Sequence, residues 1–234
     1  MKIGLLLIAT GKYDVFLQPL IDSVDKYFFK DDAVEIFLFS DKVPTIVHSD
    51  RIKIVHIPTE HKPFPYSTLY RYKYFHNSRD LINNTDYVFY CDVDMKFVDY
   101  VGREILPDDP SGLVAVNHPG FAKTGGWGSP NMFKESMAYV APENRGPYCA
   151  GGFQGGVTMA YLSACAGLDA NITVDENNGV MAEWHDESHW NSFLSAKGYQ
   201  NVKILSHEYC MSDADISGSP KLLALTKDHG ALRS

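Results

Sequence analysis

Cysteine is scarce in this sequence: four residues in 234, at Cys91, Cys149, Cys165 and Cys210, with no C-x-x-C pair among them. That spacing supports neither a disulfide framework nor a cysteine-ligated structural zinc, so reduced thiols are expected. Long apolar runs are also missing. The stretch Ile3 to Ala9 is far shorter than the roughly 20 residues of a membrane-spanning helix. It runs into Thr10-Gly11-Lys12 without a signal-peptide cleavage pattern, and a soluble, cytoplasmic protein is expected. Excess positive charge is absent too: 21 Lys and Arg stand against 29 Asp and Glu, for a net charge of -8. Such a balance argues against a surface that tracks nucleic-acid phosphates or anionic lipid. Internal repeats, low-complexity tracts and interdomain linkers are not found. The glycine run Gly151 to Gly156 carries no G-x-G-x-x-G or Walker pattern, which removes support for dinucleotide and P-loop sites.

What remains is ordinary globular composition, 45% apolar and 21% charged, in a length that α/β enzymes commonly fold around one core. One compact α/β domain over residues 1–234 is expected, with a Rossmann-like, mostly parallel sheet. Ile3 to Ile8 is continuously apolar and short, as a central parallel strand should be. A helix follows from about Val15 to Phe28, with Phe16, Leu20, Val24 and Tyr27 at helical spacing. Val34 to Phe39 and Ile52 to Ile57 read as further strands, with prolines marking the loop before a helix near Ser67. Tyr87 to Cys91 is a fourth strand, and its carboxyl end delivers Asp92, where open α/β sheets place their ligands. Beyond it, Leu113 to Val116 reads as a strand and Asn117 to Asn131 as a loop. Helices are expected from Thr158 to about Leu168 and from Trp184 to Leu194, the latter capped by Asp186 or Ser188, before a short strand Val202 to Leu205.

Asp92-Val93-Asp94 sets two carboxylates one residue apart, on one side of an extended backbone. Hard cations such as Mn²⁺ or Mg²⁺ need such oxygen ligands and keep positions open for phosphate oxygens. His185-Asp186-Glu187-Ser188-His189 places two histidines on one helical face, but Asp186 stands where a zinc hydrolase needs glutamate and no third ligand is evident. The two acids beside Trp184 suit a sugar site better, or simply a capped helix. The glycines from Gly151 to Gly156 allow either a tight turn or the close approach of a bound group. Tyr13 can stack on a base and Arg71 can pair with an acid or phosphate. Lys227 and Arg233 can fold over a diphosphate as a basic tail.

Taken together, Gly11-Lys12-Tyr13, Asp92-Val93-Asp94-Met95, His118-Pro119-Gly120-Phe121, Ala150-Gly151-Gly152-Phe153 and Trp184-His185-Asp186-Glu187-Ser188-His189 resemble glycosyltransferase family 6. This family holds the histo-blood-group A and B transferases and the α1,3-galactosyltransferases. The matches are in order and span nearly the whole chain, as in a soluble microbial- or viral-type member. The resemblance implies a GT-A fold and retaining transfer of galactose or N-acetylgalactosamine from a UDP conjugate to the 3-OH of a galactoside, fucosylated or not. It implies a nucleotide-binding half to about residue 95, an acceptor-binding half over about 96–220, and a tail over 221–234.

By the same resemblance, Tyr13 stacks on the uracil, Ile8, Ala9 and Thr10 line the same pocket, and Val93 is among the donor-binding residues. Asp92 and Asp94 bind Mn²⁺ or Mg²⁺ and the donor. Arg71 and Asp186 hold the donor sugar, and Lys227 and Arg233 the diphosphate. Met95, His118, Trp184 and Glu187 face the acceptor. Glu187 is the catalytic acid, as nucleophile or as stabiliser of the cationic transition state. Ala150 and Gly152, flanking Gly151, sort the donor sugars, and Gly152 favours N-acetylgalactosamine. The family's F-x-Y-E-R-R pattern is missing from the segment Ala122 to Lys134. Ser212, with Asp213 beside it, stands where many members place an acceptor-binding acid. Two other readings remain: a non-catalytic galactoside-binding module, and a zinc hydrolase using His185 and His189.

Overall fold

A computed structural model describes residues 1–109, 112–122 and 128–233; the side chain of Arg233 lies outside the described residues, as does part of the Ala122 to Lys134 segment. Strands β1 (Lys2–Ile8), β2 (Ala33–Ser40), β3 (Ile52–Pro58) and β4 (Tyr87–Cys91) follow the expected alternation with helices α1 (Leu17–Tyr27), α2 (Tyr66–Leu69), α3 (Arg71–Asn77) and α4 (Arg79–Ile82). The second half comprises β5 (Met95–Phe97), β6 (Leu113–Asn117), α5 (Pro119–Ala122), β7 (Cys149–Val157), α6 (Thr158–Asn177), α7 (His185–Lys197) and β8 (Val202–Leu205). It closes with β9 (Met211–Ser212), β10 (Leu222–Ala224) and α8 (His229–Arg233).

Seven strands form the central sheet in the order β3-β2-β1-β4-β7-β6-β8. All neighbours are parallel except β7, which runs antiparallel to both β4 and β6. The mostly parallel α/β sheet expected from the sequence is therefore present, in agreement with a GT-A architecture. The strand period of two sorts the core. Leu5 and Leu7 of β1 join Leu20, Ile21 and Val24 of α1 beneath the sheet, while Leu6 joins Tyr72 and Phe75 of α3 and Trp190 of α7 above it. Both faces are covered, which is why β1 and β2 read as nearly unbroken apolar runs.

Several local readings change. The helix expected from Val15 begins as a 3-10 turn, Gly11–Phe16, and becomes α-helical only at Leu17. The glycine run is a buried strand rather than a turn. Glycine is depleted in strands, but a Cβ on Gly155 would lie only 2.3 Å from the Val88 carbonyl oxygen, so the β4 backbone demands its absence. Helix α6 runs to Asn177, well past Leu168. The small sheet β5-β10-β9 was not expected from sequence; its strands are too short to show a period.

The antiparallel direction of β7 matters for function. Because Cys91 pairs with Phe153, the residues Ala150 to Gly152 at the start of β7 lie beside the carboxyl end of β4. Asn117 at the end of β6 pairs with Cys149 at the same edge. One edge of the sheet thus gathers the ends of β1, β4 and β6 and the beginning of β7.

Candidate functional site

The Asp92-Val93-Asp94 triplet is a tight turn, not an extended segment. The Asp92 N–H donates to the Gly152 carbonyl at 2.8 Å, and the Met95 N–H closes the turn on the Asp92 carbonyl at 3.2 Å. Val93 is buried and anchors it. The two carboxylates consequently meet different partners. Asp92 Oδ1 accepts the Tyr90 hydroxyl and lies 3.4 Å from Arg71 Nη2. Asp94 pairs with the Lys227 ammonium, and its carbonyl accepts the Leu225 N–H at 2.9 Å, tying the carboxyl-terminal segment to the turn.

Arg71, the first residue of α3, is only 3% exposed. A buried guanidinium is tolerable only when paired and hydrogen-bonded. Nη2 lies 3.1 Å from Asp186 Oδ2, Nη1 donates to the Gly151 carbonyl at 2.7 Å and Nε to the Thr68 carbonyl at 3.2 Å. Asp186 is therefore committed to Arg71 rather than capping α7. No side chain caps that helix at Trp184, although the Trp184 N–H donates to the Ser188 hydroxyl at 3.1 Å. Burial pushes the Asp186 carboxyl up to about 7 despite Arg71, helped by the neighbouring Asp92 and Glu187. Glu187 is also raised by burial, while donors from the Gly151 N–H, at 2.8 Å, and from Tyr148 favour its ionised form. Its place in the first turn of α7 suits a carboxylate as well.

A cavity of about 140 Å³ opens in front of the turn, and Ile8, Thr10, Tyr13, Asp92, Val93, Asp94 and Lys227 all line it. The Lys227 ammonium lies 5.6 Å from the Tyr13 ring centroid. Ala9 is not part of this lining; it is wholly buried, its N–H donating to the Phe39 carbonyl at 2.9 Å behind the cavity.

On the other side of β7, a Cβ on Gly152 would lie 3.1 Å from Asp92 Oδ2, 3.3 Å from Met95 Sδ and 3.4 Å from Cys210 Sγ. Ala150 packs into the lower core. His118 follows β6 and packs tilted against Phe121 and edge-on against Tyr148, with centroids 4.9 and 5.8 Å away; burial lowers its imidazole pKa. Tyr148 thereby connects His118 to Glu187. Trp184 is 48% exposed beside His185, whose φ of 51° is left-handed, an uncommon conformation for a residue with a side chain.

The profile of glycosyltransferase family 6 matches residues 1–234, the whole chain. The chain belongs to glycosyltransferase family 6. Among its curated family 6 relatives, histo-blood group ABO system transferase 1 of Rattus norvegicus is 30% identical over 99% of this chain and 68% of its own length. The Globoside alpha-1,3-N-acetylgalactosaminyltransferase 1 of Homo sapiens is 31% identical over 100% of the chain and 69% of its own length. The O-antigen biosynthesis glycosyltransferase WbnI of Escherichia coli is 25% identical over 89% and 86%. Membership supports a hexosyltransferase with a nucleotide-sugar donor and a glycan acceptor.

Among the described residues, no zinc site is assembled around His185 and His189. His185 packs edge-on against Phe64 at 5.3 Å, whereas His189 is buried with Nε2 3.4 Å from Asp175 Oδ2. Among the described residues, no group of three His, Cys, Asp or Glu side chains is arranged to hold a metal unaided. No helix among them is long and apolar enough to cross a membrane. Four side chains at the site were missed from sequence: Tyr90, Tyr148, Cys210 and His61, whose Nδ1 lies 3.1 Å from Thr10 Oγ1 at the cavity wall. Only Tyr90 and Tyr148 carried any signal, as tyrosines two residues before a motif.

Proposed function

We propose that this chain is a retaining, metal-dependent transferase that moves N-acetylgalactosamine, or galactose, from its UDP conjugate to the 3-OH of a galactoside, forming an α1,3 linkage. The observation that carries this reading is the double use of Gly151: its N–H donates to Glu187 at 2.8 Å and its carbonyl accepts from Arg71 at 2.7 Å. The candidate acid and the candidate sugar-holding cation are thereby fixed on one residue, beside a cavity already walled by Tyr13 and two carboxylates.

Tyr13 offers the uracil a ring to stack on, with Ile8, Thr10 and Val93 around it. Arg71 and Asp186 hold the sugar hydroxyls. Residues 150–152 carry at most a methyl group, so their backbone allows the donor sugar and its 2-substituent a close approach. The donor set of Asp92 and Asp94 fits a hard divalent cation. Both are carboxylates on one turn, and the Lys227 ammonium already lies against Asp94. Mn²⁺ or Mg²⁺ held by Asp92 and Asp94 would supply positive charge to the departing diphosphate. Lys227 and, by family resemblance, Arg233 add to that charge from the tail. As the bond to UDP breaks, positive charge grows at the anomeric carbon. The Glu187 carboxylate meets it, as nucleophile or as counter-charge, while the acceptor enters past Met95, His118 and Trp184. In this reading residues 1 to about 95 serve the nucleotide, about 96–220 the acceptor, and 221–234 close over the diphosphate.

Calorimetric titration with UDP, with and without Mn²⁺, tests the reading. Metal-enhanced UDP binding, lost in Asp94→Asn, is expected, followed by hydrolysis or transfer from UDP-N-acetylgalactosamine over UDP-galactose on a galactoside panel. Galactoside binding without UDP binding would overturn it, and full activity in EDTA would remove the metal from it.

A further inference from the structure

Tyr90 is the one polar side chain that β4 sends into the upper core, and it is 3% exposed. Its ring packs against Phe75 at 5.4 Å and carries the Arg71 guanidinium 4.3 Å above its centroid. Its hydroxyl donates to Asp92 Oδ1, the same oxygen that Arg71 Nη2 approaches at 3.4 Å. Two donors from one assembly therefore converge on a single carboxylate oxygen. The other, Oδ2, is left facing Gly152, 3.1 Å from the position a Cβ there would take.

We propose that Tyr90 is a positioning residue for the Asp92 turn: its hydroxyl reserves Oδ1, so that Asp92 presents Oδ2 alone to cation and donor, and its ring sets the height of Arg71. The assignment rests on reading the cavity as a cation-dependent UDP-sugar site. A carboxylate held by only one backbone turn would swing about its χ angles, losing rotamer entropy on each binding event. Fixed by phenol and guanidinium, it is ordered in advance. Partners that orient metal ligands in this way are commonly worth 10- to 100-fold in metal affinity. The strand supplies the geometry at no extra cost in backbone, since residues 90 and 92 flank the point where β4 ends and the turn begins.

The two halves of the role separate by substitution. Tyr90→Phe keeps the ring beneath Arg71 and removes the donor; Tyr90→Leu removes both. With Mn²⁺ as the probe, read by electron paramagnetic resonance of the free ion in the presence of UDP, Tyr90→Phe is expected to weaken uptake by about 10-fold or more. UDP affinity without metal should fall by less than Mn²⁺ uptake does. Tyr90→Leu should weaken Mn²⁺ uptake similarly and, by loosening Arg71, also erase part of the preference for UDP-sugar over UDP. Uptake in Tyr90→Phe equal to wild type overturns the assignment while leaving the site reading intact. No Mn²⁺ uptake by the wild-type UDP complex overturns the site reading itself, and the assignment with it.

Discussion

Glu187 is held against strand β7 by the Gly151 N–H, 2.8 Å from Oε2. A carboxylate on a helix is thus fixed to the sheet by a main-chain donor that cannot rotate away. Asn191, one turn further along α7, strengthens the same junction: its amide donates to the Cys149 and Glu187 carbonyls at 2.8 and 2.9 Å, and its Oδ1 accepts the Cys149 N–H at 2.8 Å. The acid is placed before any ligand arrives. Glu187→Gln keeps the shape and an acceptor for Gly151 but removes the charge. Turnover should fall by at least about 100-fold, with UDP affinity within about twofold because UDP does not depend on that charge. Steady-state kinetics beside calorimetry check this; wild-type turnover would take Glu187 out of the mechanism.

Gly152→Ala should narrow the donor preference. The added methyl would sit at 3.1 Å from Asp92 Oδ2 and 3.3 Å from Met95 Sδ, so it fits only if those side chains yield by a few tenths of an ångström. The ratio of kcat/KM for UDP-N-acetylgalactosamine over UDP-galactose is expected to drop by about 10-fold. Competition between the two donors measures it directly, and an unchanged ratio would mean that position 152 does not sort them.

Lys227→Ala should act in opposite directions on two observables. Its ammonium pairs with Asp94 and lies over Tyr13, so its removal frees the carboxylate and Mn²⁺ alone should bind more tightly. Turnover should nevertheless fall, by about 10-fold or more, because the departing diphosphate loses a positive neighbour. A fall in both would show that Lys227 supports the cation instead of competing with it.

His189 gives a pH test of stability. Burial lowers its imidazole to about 4, with Asp175 opposing the shift. Between the unfolded value near 6.5 and about 4, the unfolded chain binds a proton that the folded chain refuses, so stability falls as pH falls through that window. In His189→Gln this contribution is absent. The variant is expected to be less stable than wild type at pH 7.5, and the gap should shrink as the pH is lowered to 5. Denaturant melts of both proteins at the two pH values decide; a gap that widens on acidification would contradict the assignment.

Legibility followed the range of the interactions. β4 and its following acids were readable because an apolar run and its end are local properties. The motif residues of α7 were readable as motifs, yet not in their duties: Asp186 reads as a cap until Arg71 is seen 3.1 Å away. The strand β7 was hidden because its glycines answer to the backbone of β4, not to their own propensity. Tyr148, Cys210 and His61 reach the site from separate segments, and nothing periodic announces such meetings. Ala9 is a motif neighbour whose side chain belongs to the core.

The bond from the Asp92 N–H to the Gly152 carbonyl, at 2.8 Å, also has a bearing on how the molecule comes into being. It is the last rung of a ladder between strands far apart in the chain, whose closure is the slow kind of event in folding. The carboxylate turn and the glycines beside it do not face one another until that ladder has zipped. Nucleotide binding should therefore appear only at the end of refolding, and a fluorescent UDP analogue would serve as a clock for the completion of the sheet.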